Sequence, residues 1–393
     1  MNPYNIIIEE AISTGRATDA YFERTEEALK EAGKNPTVVA EVTADQFTDG
    51  VFEVFSGLKP ATKFLTEAEA DIDVNAYHEG SLFDGGPVMV IRGDYLEFAR
   101  LETSLLGFLS QASGIATAAL EATTAAIDTT VLSFGARHMH PSIASVIERN
   151  ALIGGVDGFS HVAAGDLLDK NPSGTMPHAL MLAFNEDTPA NAWEAFNEAA
   201  PENTPRIALC DTFSDEVVEV EQAVKTLGDD LDGVRLDTTS SRRGDFRHII
   251  KEVRFKLEQL GREDVDIFIS GGLTPDDIRE LRDIVDGFGI GGYISNADPV
   301  DFSLDIVQVN DEEVSKRGKL EAMKEPYRDK DGNTVIHTGN HYVEESSNKL
   351  LQPLIRDGEL VRSIPDLEKV SRVAQEDAEA VNFRNKSAKL LQN

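Results

Sequence analysis

GVRLDTTSSRRGDF, residues 233–246, begins as a short apolar strand and ends where a helix begins. Within a few residues it carries three arginines, four hydroxyls and Asp237. Apolar side chains then recur at helical spacing until Gly261, which ends the helix. In sheets and barrels of alternating strands and helices, ligands bind at this end of the strands. Guanidinium forks match phosphate oxygens, and a carboxylate can hold a metal ion or a sugar hydroxyl. The alternative is a solvated loop of paired charges.

The same alternation of strand and helix extends on both sides of this stretch, from residue 131 to about residue 300. The predicted strands are VLSFGARHMH (131–140), VDGFSHV (156–162), SGTMPHALML (173–182, a strand or strand end), RIALCDT (206–212), GVRLDT (233–238), VDIFISGG (265–272) and FGIGGYIS (288–295). Such a pattern predicts parallel strands joined by right-handed crossovers, most economically an α/β barrel. A three-layer open sheet is the alternative.

The flanking segments follow other patterns. Residues 1–115 read as a β-rich and helical N-terminal domain, in which GLKPATKFL (57–65) is predicted to be a loop. A long alanine-rich helix over 96–127, broken near Gly114, marks the boundary to a catalytic domain over 116–300. Residues 301–393 form a C-terminal unit that we expect to pack back on the N-terminal domain.

The composition bounds the class of protein. Apolar residues make up 41% of the 393 residues, which indicates a globular chain. Cys210 is the single cysteine, so no intrachain disulfide forms, and neither a signal peptide nor a membrane-spanning run is predicted. We therefore expect a cytoplasmic protein.

The net charge of −33 repels nucleic acid and anionic membranes. Its even spread along the chain is typical of proteins from halophiles, because high salt screens the self-repulsion. In so acidic a chain, a local cluster of arginines indicates a specific anionic ligand.

Polar residues and glycines lie at the ends of most of the predicted strands. They are Arg137, His138, His140, Thr175, His178, Asp211, Thr212, Arg235, Asp237, Ser270, Gly271, Gly272, Gly289, Gly291 and Gly292. The glycine turns after the last two strands are the usual place for a phosphate in a barrel, although turns use glycine routinely.

Two histidine features remain open at this point. His138 and His140 form the HxH pair of metal-dependent barrel hydrolases, but later strand ends supply no further histidine, which favours ordinary hydrogen-bonded side chains. His178 is either a packed or capping histidine or a nucleophile and proton carrier.

The residues collectively resemble the archaeal-type nicotinate phosphoribosyltransferases, of the type II phosphoribosyltransferase family. The matching segments include ATDAYF, LETSLLGFLSQASGIAT, FGARHMHP, PSGTMPHAL, RIALCDTF, GVRLDTTSSRRGDF, ISGGLTPDDI and KRGK, in order along nearly the whole chain. The resemblance implies an incomplete α/β barrel with a companion domain built from both chain ends. It also implies that nicotinate and phosphoribosyl pyrophosphate give nicotinate mononucleotide and pyrophosphate, with coupled ATP hydrolysis.

The resemblance further implies roles for individual residues. Those at the nicotinate are Tyr21, reaching from a neighbouring subunit, Arg137, Thr175 and Arg235. Those at phosphate groups are Arg242, Arg243, Ser270, Gly271, Gly272, Gly291, Gly292, Lys316, Arg317 and Lys319. Asp237 would bind the ribose hydroxyls or Mg²⁺, and His178 would be phosphorylated by ATP. A homodimer or larger homo-oligomer is implied.

One departure from the family concerns zinc. Many archaeal relatives carry a four-cysteine zinc site in the C-terminal unit, but YRDKDGNTVIHTGNHYVEE has no cysteine. His337 and His341 alone are too few for a structural zinc, so none is expected.

Three other functions compete. A nicotinamide phosphoribosyltransferase carries an acidic side chain in the segment that here reads GTMPH, where Met176 offers no acceptor. Quinolinate phosphoribosyltransferases are usually shorter. A non-catalytic metabolite-binding relative would not need Arg235, Asp237 and His178 together.

Overall fold

The computed structural model describes residues 4–44, 52–338, 348–381 and 383. The chain divides into two compact units. The first comprises residues 1–120, 153–155 and 297–393, and the second comprises residues 121–152 and 156–296. We call them the mixed-terminus unit and the parallel-sheet unit.

The parallel-sheet unit contains a six-stranded sheet. In chain order its strands are Thr130–Ser133, Gly158–Phe159, Ile207–Leu209, Gly233–Leu236, Asp266–Ser270 and Gly287–Ile290. Every ladder is parallel, and the first strand pairs with both the second and the sixth. The second and third strands form the two edges of the sheet. In a closed barrel these two edge strands would pair with each other, and here they do not. The sheet is therefore a parallel half-barrel.

Helices and short 3₁₀ turns connect these strands. The helices are Ala144–Ile153, Val162–Leu168, His178–Ala183, Ala190–Ala199, Glu216–Leu227, Ser240–Arg243, Phe246–Gln259, Pro275–Leu281 and Gly292–Ser295. Helix Phe246–Gln259 follows from its sequence. It buries Phe246, Ile250, Val253 and Leu257, which recur every three or four residues, and the Asp245 side chain caps its first turn.

The mixed-terminus unit is built on an antiparallel seven-stranded sheet that both ends of the chain supply. In spatial order its strands are Glu312–Glu313, Phe302–Val309, Thr37–Ala44, Pro87–Asp94, Ile72–Ala76, Gln352–Arg356 and Glu359–Leu360. Smaller sheets comprise Lys324–Arg328, Thr334–Thr338 and Asn348–Lys349, and Glu53–Val54 with Leu82–Phe83. The helices are Glu9–Ser13, Ala20–Glu31, Leu58–Glu67, Tyr95–Phe98, Leu367–Ala380 and the first part of Glu102–Ala126.

The stretch 57–65, predicted to be a loop, is part of helix Leu58–Glu67. The prediction gave too much weight to Pro60, which lies in the first helical turn, where its missing N–H costs no hydrogen bond. Leu58, Ala61 and Leu65 are buried at helical spacing, so packing stabilises the helix.

The long helix is also different from the prediction, because Glu102–Ala126 runs unbroken through Gly114. A Cβ at Gly114 would lie 2.1 Å from the backbone oxygen of Asp298. Glycine there permits the close approach of another segment and does not end the helix.

The long helix and the short helical turns before it form a continuous stretch, Tyr95–Ala126. By length and composition alone, this stretch could cross a bilayer, whereas no membrane-spanning run was predicted from the sequence. Of the most apolar 18-residue segment of this stretch, 61% is buried inside the structure, as in the core helix of a folded domain.

One predicted strand was wrong, and another is confirmed only in part. SGTMPHALML contains no strand. Its second half belongs to helix His178–Ala183, which begins directly after Pro177 and consists mainly of alanine, leucine and methionine, all good helix formers. FGIGGYIS is a strand only in its first part, because strand Gly287–Ile290 ends before the short helix Gly292–Ser295.

Candidate active site

Arg235 lies near the carboxyl end of the fourth parallel strand. Its Nη1 donates to Thr175 Oγ1 at 2.6 Å and its Nη2 to the backbone oxygen of Met176 at 3.2 Å. Its buried Nε has no hydrogen-bond partner in the described part of the chain. Burial lowers the pKa of Arg235 from its ordinary value, while Asp237 and Asp211 act in the opposite direction. A desolvated guanidinium with an unused N–H is suited to bind an anion.

Arg137 lies in the 3₁₀ turn Ala136–His138, just after the first parallel strand, and is exposed. Its positive charge adds to the lowering of the pKa of Arg235, for which burial is the largest cause. The structure joins Thr175 and Arg235 by a hydrogen bond, whereas Arg137 acts on Arg235 through its charge.

Asp237 follows the same strand as Arg235. Its Oδ1 accepts a hydrogen bond from Ser270 Oγ at 2.8 Å, and Ser270 ends the neighbouring strand. Its Oδ2 lies 3.9 Å from Nδ1 of His178. The side chain is about 30% exposed, so one carboxylate oxygen faces outward beside the imidazole.

His178 begins helix His178–Ala183, and its Nε2 lies 2.9 Å from Oδ1 of Asp211. The Asp211 carboxylate is 2% exposed and also accepts the backbone N–H of Asp237 at 2.6 Å. The hydrogen bond from Asp211 raises the pKa of His178, against the effect of burial. In the neutral ring, Nε2 donates to Asp211, and Nδ1 keeps a lone pair directed away from that carboxylate.

Sequence reasoning placed Asp211 only as a residue at a strand end and gave it no role. One feature of the sequence could have indicated such a role. Asp211 comes directly after the apolar run RIALC, whose strand pairs with the strand of Arg235. Buried carboxylates are seldom tolerated without such partners.

The two arginines of the 240–243 helix differ in their environments. Arg243 donates from Nε to the Thr238 carbonyl at 3.0 Å and from Nη2 to the carbonyls of Ser270 at 3.2 Å and Gly271 at 2.9 Å. It therefore links the turns after two adjacent strands. Arg242 is exposed and has no side-chain partner among the described residues, which leaves its donors available to a ligand.

The glycines form turns at the ends of the fifth and sixth strands. Gly271 and Gly272 have φ of 99° and 68°, which glycine adopts without strain. A Cβ at Gly271 would lie 2.9 Å from both Arg243 Nη2 and Asp237 Oδ1. At the sixth strand, a Cβ on Gly291 would lie 3.2 Å from the ring of His138, and Gly292 begins the next helix.

The HxH histidines lie in separate environments. His138 Nδ1 is 3.4 Å from Ser295 Oγ, whereas His140 Nδ1 caps the next turn, 3.2 Å from the N–H of Ser142. Within the described ranges, no group of three or more histidine, cysteine, aspartate or glutamate side chains is arranged to hold a metal ion. Of the two C-terminal histidines, His341 lies outside the described residues.

The remaining predicted residues lie on the mixed-terminus unit. Tyr21 is 55% exposed on helix Ala20–Glu31, and its ring centroid is 4.3 Å from that of Phe22. Lys316 and Lys319 both bind the carboxylate of Asp305.

Models of known families match most of the chain. Residues 19–113 match the N-terminal domain, and residues 115–305 the C-terminal domain, of quinolinate phosphoribosyl transferase.

Solved structures and curated sequences also show similarity to this family. The structure of nicotinate-nucleotide pyrophosphorylase from Pyrococcus furiosus is 43% identical, covering 97% of this chain and 99% of that one, with a TM-score of 0.93. Human nicotinic acid phosphoribosyltransferase, 19% identical over 92% of this chain and 94% of its own, has the same fold at a TM-score of 0.76. Nicotinate phosphoribosyltransferase pncB1 of Mycobacterium tuberculosis is 29% identical over 327 residues, 77% of this chain and 71% of its own. The chain therefore belongs to the quinolinate phosphoribosyltransferase family, the type II phosphoribosyltransferases.

Proposed function

We propose that this protein is a nicotinate phosphoribosyltransferase that joins nicotinate to phosphoribosyl pyrophosphate in NAD salvage. The observation that carries the proposal is the guanidinium of Arg235, which donates to Thr175 Oγ1 and the Met176 carbonyl and leaves its buried Nε without a partner in the described part of the chain. A monocarboxylate would satisfy this cation, with Arg137 as the second proposed contact. The names of the curated relatives support the choice of nicotinate.

The chemistry fits the remaining polar groups. The ring nitrogen of nicotinate attacks the anomeric carbon, pyrophosphate leaves, and positive charge develops on the ribose. Asp237 lies where a carboxylate could hold the ribose hydroxyls, with Oδ1 fixed by Ser270. The turns at 271–272 and 291–292 offer backbone N–H groups to the 5′-phosphate, and Arg242 offers a cation. These groups orient the reactants, and the step needs no covalent nucleophile.

Asp237 also fits a magnesium ion carried by the phosphoribosyl pyrophosphate, because its Oδ2 accepts no hydrogen bond within the described residues and Mg²⁺ prefers carboxylate oxygens. Magnesium would neutralise the charge of the leaving pyrophosphate.

ATP coupling belongs to the proposal through His178. Its Nδ1 can attack the γ-phosphate of ATP while Asp211 holds Nε2–H. The bond formed is from Nδ1 to phosphorus, the bond broken joins that phosphorus to the β–γ bridging oxygen, and ADP leaves. Water later releases phosphate from the ring. The phosphoryl group would add negative charge next to Asp237 and so favour departure of pyrophosphate.

A quinolinate phosphoribosyltransferase is the second candidate, since Arg137 and Arg235 together could hold two carboxylates and the family model is that of this enzyme. A nicotinamide enzyme is disfavoured, because Met176 is fully buried and presents only its backbone oxygen, already bound to Arg235.

The test is pyrophosphate release by the purified protein with nicotinate, nicotinamide and quinolinate side by side, with and without ATP. The proposal requires nicotinate to be the preferred substrate and ATP to stimulate its use. Carbon dioxide release from quinolinate would support the second candidate instead. We further propose a cytoplasmic, salt-adapted homo-oligomer of the archaeal type.

A further inference from the structure

Glu219 is a buried acid on the apolar face of its helix. Helix Glu216–Leu227 buries Val220, Ala223 and Leu227 on that face, and the Glu219 side chain is fully buried beside them. A buried carboxylate is costly unless hydrogen bonds or a cation satisfy it. No cation lies within ion-pair distance of Glu219 in the described part of the chain, so hydrogen-bond donors have to satisfy it.

Three successive backbone N–H groups donate to this carboxylate. The N–H of Thr212 donates to Oε2 at 3.0 Å, and those of Phe213 and Ser214 donate to Oε1 at 2.5 Å and 2.8 Å. Successive N–H groups that converge in this way form a backbone nest, a concave site that binds anions. The anion in this nest is the side chain of Glu219, which therefore ties the bend 212–214 to the helix that follows it.

The helix is itself held in place. Its buried apolar face packs into the core, and the Asp215 side chain caps its start by accepting the N–H of Val217 at 3.1 Å. Its first residue, Glu216, accepts a hydrogen bond from Thr238 Oγ1 at 2.7 Å, so the helix also contacts the end of the neighbouring strand. The helix is therefore a fixed support, and Glu219 extends that support to the bend.

The bend begins directly after Asp211, which binds the imidazole. Asp211 Oδ1 lies 2.9 Å from Nε2 of His178, and Oδ2 accepts the backbone N–H of Asp237 at 2.6 Å. On its other side, the N–H of Cys210 donates to a carbonyl of the neighbouring strand at 3.0 Å. Asp211 thus lies between a hydrogen bond to the sheet and the first hydrogen bond to Glu219. A displacement of the bend would displace the Asp211 carboxylate.

We propose that Glu219 is a positioning residue, which fixes the bend 212–214 and so keeps the Asp211 carboxylate on Nε2 of His178. All of these contacts lie within the parallel-sheet unit. Glu219 touches no substrate and acts only through Asp211. The catalytic consequence rests on the proposed function, in which His178 takes the phosphoryl group of ATP, whereas the structural consequence does not.

Hydrogen exchange in the wild type tests the nest without any substitution. Phe213 and Ser214 are exposed, so their N–H groups would exchange rapidly if water were their only partner. The inference predicts that the N–H groups of residues 212–214 exchange at least about a hundredfold more slowly than in an unfolded chain. Exchange at the unfolded rate in the folded protein would overturn the inference, whatever the variants do.

Glu219→Gln tests the link to the imidazole. Glutamine has one acceptor oxygen where glutamate has two, so at least one N–H group of the bend must meet an amide NH₂ group. In protein with isotope-labelled histidine, the Nε2–H proton of His178 is assigned by its absence in His178→Ala. In Glu219→Gln this proton should exchange with water about tenfold faster than in the wild type.

The kinetic effect of Glu219→Gln should fall on turnover. The kcat of ATP-stimulated nucleotide synthesis should fall about tenfold, whereas the KM for nicotinate stays within about twofold. If Glu219 acts through Asp211, the variant that combines Glu219→Gln with Asp211→Asn should be no slower than Asp211→Asn alone. Multiplicative effects would overturn the inference, as would a folded Glu219→Gln whose His178 proton and kcat match the wild type.

Glu221→Gln is the matched control. It makes the same change two residues away on the same helix, at a partly exposed acid paired with Lys225 and Lys256, and should leave the His178 proton and kcat unchanged. Cys210 reports folding, because its thiol is fully buried and should stay unreactive to alkylating reagents in every folded variant. If Glu219→Gln does not fold, exchange in the wild type decides.

The inference and the proposed function fail separately. A wild type that makes no nicotinate mononucleotide, yet exchanges slowly at 212–214 and has a His178 proton that depends on Glu219, keeps the inference and rejects the function. A wild type that makes the nucleotide with stimulation by ATP, but whose Glu219→Gln variant behaves normally, keeps the function and rejects the inference.

Discussion

Oδ1 of Asp211 lies 2.9 Å from Nε2 of His178, and the carboxylate is almost fully buried. Because Asp211 also holds the backbone N–H of Asp237, one buried group orients both the imidazole and the acid beside it. The arrangement favours the His178 tautomer that carries its proton on Nε2, and Nδ1 is then the atom that would attack ATP in the proposed coupling.

Removal of the His178 imidazole should separate nucleotide synthesis from ATP hydrolysis. His178→Ala is expected to keep slow synthesis of nicotinate mononucleotide and to lose both the stimulation by ATP and the nicotinate-linked ATPase activity. Assays of nucleotide and ADP formation check this. His248→Ala, at an exposed position on helix Phe246–Gln259, is the matched control and should behave as the wild type. Normal ATP coupling in His178→Ala would reduce His178 to a structural residue.

Asp211 should set the pH dependence of phosphorylation. Its hydrogen bond raises the pKa of His178, and the protonated ring cannot attack, so phosphorylation in the wild type should rise only as pH passes the raised pKa. Asp211→Asn removes the charge, and the rise should move to lower pH. The plateau rate should fall by about tenfold or more, because a charge-assisted contact is lost.

Phosphohistidine formation from labelled ATP across pH measures both effects. Asp229→Asn, at an exposed acid in the same unit, supplies the control for the change in charge. An unshifted profile in Asp211→Asn would show that Asp211 does not control the imidazole.

The sequence indicated most of these candidate residues because they follow parallel strands, and the strands at 207–209, 233–236, 266–270 and 287–290 are strongly apolar. It misassigned SGTMPHALML, since a short apolar run has no decisive period and its helix begins only after Pro177. The role of Asp211 could not be read from sequence, because it depends on distances across neighbouring elements. The bonds of Arg243 to three backbone carbonyls could not be predicted either, because they join turns that are distant in sequence, and its contact with an anion stays a prediction.

Salt should stabilise the folded protein. The net charge of −33 produces self-repulsion in dilute buffer, and molar salt shortens the Debye length to about 3 Å. We expect the melting temperature to rise steadily with KCl, by about 5–10 °C between dilute and molar salt. Calorimetry at a series of KCl concentrations measures this, and a melting temperature independent of salt would argue against salt adaptation.

Subunit sharing of the active site can be tested by hybrid formation. Tyr21 is exposed, so Tyr21→Ala should fold normally and still use nicotinate poorly. If the ring acts in a neighbouring subunit, mixing the impaired Tyr21→Ala and Arg235→Ala chains should raise the activity to about a quarter of the wild-type value, because half of a random dimer mixture is hybrid with one intact site. No recovery after verified subunit exchange would place both residues in a site formed by one chain.

The most direct test of the central claim is the preference for nicotinate over nicotinamide, measured as the ratio of kcat/KM values in the wild type and in Arg235→Ala. Arg235 should recognise the carboxylate charge, so its loss should lower kcat/KM for nicotinate by about tenfold to a hundredfold and change that for nicotinamide much less. Arg235→Lys, which keeps the charge but not the fork, should be intermediate, and Arg247→Ala, at an arginine paired with Asp283, should match the wild type. A collapse of the ratio in Arg235→Ala supports the account, and an unchanged ratio would contradict it.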